Sequence, residues 1–168
     1  MKYQFVDYDP VGHRALDAWQ GGDIYRFAME NGISEEWQYY LDADEYCAGV
    51  DTFCKVVLLD GRPVAVMIVF CNPDFPVGIN PIIVDPTRTG QGHGSAILRE
   101  FIENIDAILP FHSDMFDVVI DNENIASIKA FTKNGFTLAR VHPDGDAGYY
   151  ERRIFICSPN SGHSRSAS

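Results

Sequence analysis

Two periodicities alternate along this chain. Residues 3–6 are short and β-rich enough for an opening strand. Helical spacing follows: Ile24, Phe27 and Ala28 share one face behind Asp23 as N-cap, with Asn31-Gly32 as the stop. A second helix starting at Ser34 sets Trp37, Tyr40 and Leu41 at i, i+3 and i+4. The period then shortens. Residues 53–59 and 64–70 are β-rich runs joined around Asp60-Gly61, a strong hairpin signal. After a loop holding Pro and Gly, residues 79–84 form another strand, and its run Ile82-Ile83-Val84 is continuous, as in a strand covered on both faces. A glycine loop leads into a helix with one apolar stripe, Ile97, Leu98, Phe101, Ile102, Ile105 and Leu109, closed by Pro110. The pattern ends in a strand at 116–120, a helix at 125–134 stopped by Gly135, and strands at 136–141 and 149–156. Strand, two helices, three strands, helix, strand, helix, two strands predicts an α/β fold: a sheet with helices on its faces.

Length and composition sharpen this. At 168 residues the chain suits one domain, with 46% hydrophobic and 22% charged residues, an ordinary globular balance. The final stretch, 158–168, is polar and small, so we read residues 1–157 as the domain and 158–168 as a flexible tail. No apolar run approaches the ~18 residues of a membrane helix, and the first residues carry no apolar signal core. Cys47, Cys54, Cys71 and Cys157 form no CxxC pair and have no His pair at zinc-ligand spacing, so no metal site is expected. They read as reduced thiols, and the chain as cytoplasmic.

The formal net charge of −11 disfavours a nucleic-acid binder, because phosphate contacts need Lys and Arg. It is also uneven. Residues 1–60 hold twelve acidic and four basic side chains, hence −8 of the −11, which favours a cationic partner for the N-terminal half.

The segment richest in chemistry is VDPTRTGQGHGSAIL, residues 84–98. Gly90, Gly92 and Gly94 alternate between a strand and a helix start. Glycines let backbone approach a phosphate, and the free N–H groups of the first helical turn point at it. Three motifs share this physics. A P-loop needs a Lys that is absent here. A dinucleotide fingerprint would read Gly90, Gly92 and then Ser95 in place of the third glycine, five residues after the strand and without a second mononucleotide half.

The third fits better. The stretch resembles the V-x-P-x-x-(R/Q)-G-x-G-x-G signature of the GNAT acetyltransferases, with Val84, Pro86, Gly90, Gly92 and Gly94 matching. A second block, DNENIASIKAFTKNGF (121–136), resembles the family's N-x-x-(A/S)-I-x-x-(Y/F)-x-x-x-G-F segment through Asn124, Ser127, Ile128, Phe131, Gly135 and Phe136. The resemblance covers residues 79–139. It implies the GNAT fold: a mixed, mostly antiparallel sheet of six or seven strands flanked by about four helices. It also implies acetyl-CoA as co-substrate. Gln91, Gly92, His93, Gly94 and Ser95 would then line the pyrophosphate, with Thr89 and Gly90 leading into that loop. Ile82, Ile83 and Val84 would run along the pantetheine, joined by Asn124 and Phe131. Asn124 and Gly135 also read as an ordinary helix cap and stop.

Two departures affect mechanism. Thr89 stands where the family carries Arg or Gln, with Arg88 one residue earlier. Phe131 stands where many members carry a Tyr that protonates the departing thiolate. Tyr149 or Tyr150 is the candidate replacement. Glu30, Glu45 and Asp74 are the candidate bases, since residues 75–84 hold no acid. The expected function is N-acetylation of a primary amine by direct attack in a ternary complex. The acceptor is a cationic small molecule or a peptide or protein amine, and formation of a homodimer is left open. The alternative is a non-catalytic module that binds CoA.

Overall fold

The computed structural model describes residues 1–19, 32–42, 50–72 and 75–154. Seven strands in them form one sheet: β1 (Gln4–Asp7), β2 (Asp51–Leu59), β3 (Arg62–Cys71), β4 (Val77–Val84), β5 (Met115–Asp121), β6 (Thr137–Val141) and β7 (Ala147–Arg153). With them go the helices α1 (Ile33–Asp42), α2 (His93–Glu103), α3 (Ile105–Ile108) and α4 (Ile125–Lys133). The spatial order is β1-β2-β3-β4-β5-β7-β6. All neighbours are antiparallel except β4 and β5. This is the expected sheet. The helix expected before residue 32 and the tail 158–168 lie outside the described residues.

Local chemistry accounts for the elements. The β2–β3 hairpin turns at Asp60 (φ 51°) and Gly61 (φ 73°), the positive-φ pair that matches strand twist. Helix α1 starts where Asp17 accepts from the Ser34 N–H (2.9 Å) and from its hydroxyl (2.7 Å). Helix α4 is capped by Asn124, whose Oδ1 accepts from the Ser127 N–H at 3.1 Å. It ends in a Schellman arrangement: Gly135 at φ 82° donates to Thr132, and the Phe136 N–H donates to the Phe131 carbonyl. Phe136, expected in the last hairpin, is spent on this stop and packs edge-on against Phe131.

The two faces of the sheet bury separate cores. Met67, Val69, Phe116, Val118 and Ile120 face α2 and α4, packing on Ile97, Leu98, Phe101 and Phe131. Val56, Val66, Ile68 and Ile83 face the other way, against Tyr8, Leu16, Ile33 and the partly buried Trp37.

The single helix expected up to Pro110 is in fact two. Asn104 leaves helical geometry (φ −129°, ψ 26°), and its side-chain amide donates to the Glu100 carbonyl at 2.8 Å. A short polar side chain competes here with the helix ladder. The stripe survives the break, since Ile105, Ile108 and Leu109 remain buried.

Candidate active site

The sheet splits at its one parallel pair. β4 and β5 share register only at Val77–Phe116 and Gly78–Asp117, then diverge. Two features of β4 favour the divergence. Its pairing with β3 slips between Met67 and Val69, a bulge, and Pro81 within it has no N–H to give a ladder. Past Gly78, the β5-facing side of β4 therefore carries backbone groups without a strand partner. The wedge so opened, about 60 Å³, is lined by Ile79, Pro81, Ile82, Val118, Ile120, Asn124 and Phe131, among others.

A larger cleft of about 420 Å³ adjoins it on the helix face. Ile82, Ile83, Val84, Thr89, Gly90, Gly92, His93, Gly94, Ser95, Asn124 and Phe131 all line it. Of the residues implied by the sequence resemblance, only Gln91 does not; its side chain is exposed outside the cleft. Gly92 is the N-cap of α2 in left-handed geometry (φ 82°, ψ 5°) and accepts from the Ala96 N–H at 3.1 Å. The N–H groups of His93, Gly94 and Ser95 thus precede any intrahelical acceptor. A Cβ at Gly90 or Gly92 would meet nothing within 4 Å, so their left-handed φ, not crowding, calls for glycine and leaves the loop backbone open to the cleft.

Charge reinforces this. Arg88, Lys129 and Lys133 line the cleft, no Asp or Glu among the described residues does, and the chain carries −11 overall. Arg88 is held by Asp85 at 3.7 Å, and the same Asp85 caps the turn Pro86–Arg88 by accepting from the Thr87 N–H at 2.8 Å. Amides, three cations and apolar walls fit a ligand with an anionic head and an apolar arm.

Neighbouring side chains fix the first turn of α2. His93 Nδ1 shares a hydrogen bond with the Tyr3 hydroxyl at 2.9 Å, so its ring is engaged from the residue just before β1. The amide of Asn134, buried at the end of α4, donates to Ser95 O and Oγ at 3.0 Å and to Ala130 O at 2.7 Å. The Arg152 guanidinium donates to the Asn134 carbonyl at 2.6 Å. Asn134 matched no motif, and its role is visible only from the packing of α4 on α2.

Phe131 lines both openings and is 4% exposed, with no proton to give. The structure does not bring the two tyrosines to either opening. Tyr150 is buried in the helix-side core beside Val118. Tyr149 lies on the opposite face under the Arg140 guanidinium (3.9 Å) and stacked with His142. Both sit on β7, one strand away from the wedge. Glu30, Glu45 and Asp74 lie outside the described residues.

One acid at the split escaped sequence reasoning. Asp117 is the polar position of an alternating strand, flanked by buried Phe116 and Val118, which reads as an ordinary outward-facing residue. It is half-buried, and its carboxyl is raised by burial first and by the Glu151 carboxylate second, with Arg140 opposing.

Fold and cleft define an α/β protein with a basic, glycine-walled cleft opening into a split sheet. The model of the acetyltransferase (GNAT) family matches residues 18–136, and the chain belongs to that family. Among solved structures it is similar to the Vibrio cholerae spermidine N-acetyltransferase in complex with CoA and spermine (TM-score 0.69, 11% identity, covering 90% of this chain and 95% of that one). It is also similar to the aminoglycoside acetyltransferase AAC(6')-Ib in complex with coenzyme A (0.68, 16%, 90% and 94%) and to the Campylobacter jejuni N-acetyltransferase PseH (0.63, 12%, 91% and 99%). At these identities the likeness is one of fold. No curated protein matches the sequence. Among the described residues no helix is long and apolar enough to cross a membrane.

Proposed function

We propose that this acetyltransferase moves the acetyl group of acetyl-CoA to a primary amine by direct attack in a ternary complex, and that the amine is cationic. The observation that carries this is the continuity of the two openings. The basic cleft at the α2 N-terminus leads, past Ile82, Asn124 and Phe131, into the wedge where β4 leaves β5. The α2 amides with Arg88, Lys129 and Lys133 would hold the phosphates, and Ile82, Val84 and Phe131 would pack along the pantetheine. Asn124 spends its Oδ1 on the helix cap, which leaves its NH2 as a donor toward the arm.

A thioester in the wedge meets the unpartnered backbone of β4, where an N–H polarises the carbonyl as the nitrogen attacks carbon and the C–S bond breaks. A thiol with a pKa near 8.5 is a tolerable leaving group, so Phe131 in place of an acid is no obstacle. The amine nitrogen is the harder partner. A lysine-like amine with pKa near 10.4 is neutral in only about one molecule per thousand at pH 7. The twelve acids of residues 1–60 supply the field that gathers such a cation; the similar V. cholerae spermidine N-acetyltransferase is in complex with spermine, a polycation.

The test is thiol release from acetyl-CoA with spermine, kanamycin and a lysine-containing peptide, at rising salt. Turnover of the best acceptor should weaken as screening shortens from about 10 Å at 0.1 M to about 3 Å at 1 M. A preferred acceptor that is neutral or anionic refutes the cationic assignment.

A further inference from the structure

We propose that Asp117 is the base that takes the proton of the acceptor's ammonium group; this rests on the amine-acetylation reading above. Its position carries the argument. Asp117 is the last residue of β5 in register with β4, so it stands at the vertex where the sheet opens. Phe116 and Val118 on either side are buried in the helix-side core, which sends the Asp117 side chain to the other face. The cleft at α2 reaches the split from the helix side. On this proposal the acceptor amine approaches from the far side, where the carboxylate at the vertex would take its proton.

The neighbours in register fit that task. Across on β4 is Gly78, and on β3 beyond it Phe70. A Cβ on Gly78 would stand 3.4 Å from Asp117 Oδ1 and 3.4 Å from Phe70 Cβ. A side chain at position 78 would crowd the carboxylate, so the glycine lets it lie over β4 beside Phe70. On the other side β7 presents Glu151, paired with Asp117, and β6 presents Arg140 near it; Gly78 and Phe70 bring no charge. Burial and the Glu151 carboxylate make Asp117 a stronger base than a solvated carboxylate, and Arg140 limits the effect.

The step balances as follows. The ammonium R–NH3+ gives one proton to the Asp117 carboxylate and becomes R–NH2. Its lone pair forms the C–N bond while the C–S bond breaks. The second N–H proton goes to the departing thiolate, giving CoA thiol, and the Asp117 carboxyl returns its proton to water.

The decisive experiment compares the parent with Asp117→Asn and Glu151→Gln, using whichever of spermine, kanamycin and a lysine-containing peptide the parent turns over fastest. In D117N we expect kcat to fall about 10²- to 10⁴-fold with loss of the acidic limb of the kcat/KM profile, while CoA affinity by calorimetry stays within twofold. In E151Q the acidic limb should move to lower pH, because a like charge that raised the Asp117 carboxyl is gone. A merely structural Asp117 predicts an unmoved limb in E151Q, and that result, or full activity in D117N, overturns the proposal. Should D117N fail to fold, the E151Q limb decides alone. If the parent binds CoA but releases thiol with none of the three amines, the amine-acetylation reading falls and this proposal with it.

Discussion

Replacing Gly92 separates backbone strain from cofactor recognition. The residue caps α2 at φ 82°, where an L side chain is strained but, in this structure, meets no atom within 4 Å. Gly92→Ala should therefore cost only the left-handed backbone term, about 1–2 kcal/mol. For a chain of this size that lowers Tm by roughly 2–8 °C. Gly92→Glu carries the same strain and adds a carboxylate beside the amides that would receive the pyrophosphate. Each charge-assisted hydrogen bond lost there is worth about 1.5–3 kcal/mol, so CoA affinity should drop tenfold or more. Paired calorimetric titrations and thermal melts give both numbers. The two variants should melt alike and differ in binding. Equal CoA affinity in G92E and the parent would refute the placement of the pyrophosphate at this turn.

Two other positions give sharp expectations. Phe131→Ala should lose about 3–5 kcal/mol in denaturant unfolding, because the ring is buried and packed edge-on 5.0 Å from Phe136, whereas Phe131→Tyr should fold and keep at least parental turnover. Tyr149→Phe should reproduce the parent's pH–rate profile, since the ring is covered by the Arg140 guanidinium and stacked on His142; a lost basic limb would restore that residue as the proton donor.

Most of the candidate cleft was legible because it is built from backbone. Three alternating glycines before an amphipathic helix dictate the amide-lined turn in almost any context, and Asn124 and Gly135 announce the ends of α4 by their own chemistry. What was not legible depends on distant partners. Asn104 breaks its helix through a bond to Glu100 that an apolar stripe cannot reveal. Asn134 looks like a helix-ending residue until α2 is placed against it. Asp117 gains its character from Gly78 and Glu151, 39 and 34 positions away in the chain, and only register brings them together. The place of the two tyrosines was hidden for the same reason: only the strand order puts β7 beyond β5, away from the wedge.

The split sheet has a mechanical consequence. β2 and β3 are zipped through nine residue pairs, but β4 and β5 through two. The molecule is thus two half-sheets joined by a narrow isthmus and clamped from one side by α2 and α4. A ligand lodged between β4 and β5 would act as a keystone, restoring across the gap the cohesion that the missing ladder withholds. At a hundredfold excess over its Kd such a ligand adds about 2.7 kcal/mol to the folded state. Amide exchange along the facing edges of β4 and β5 would slow the most.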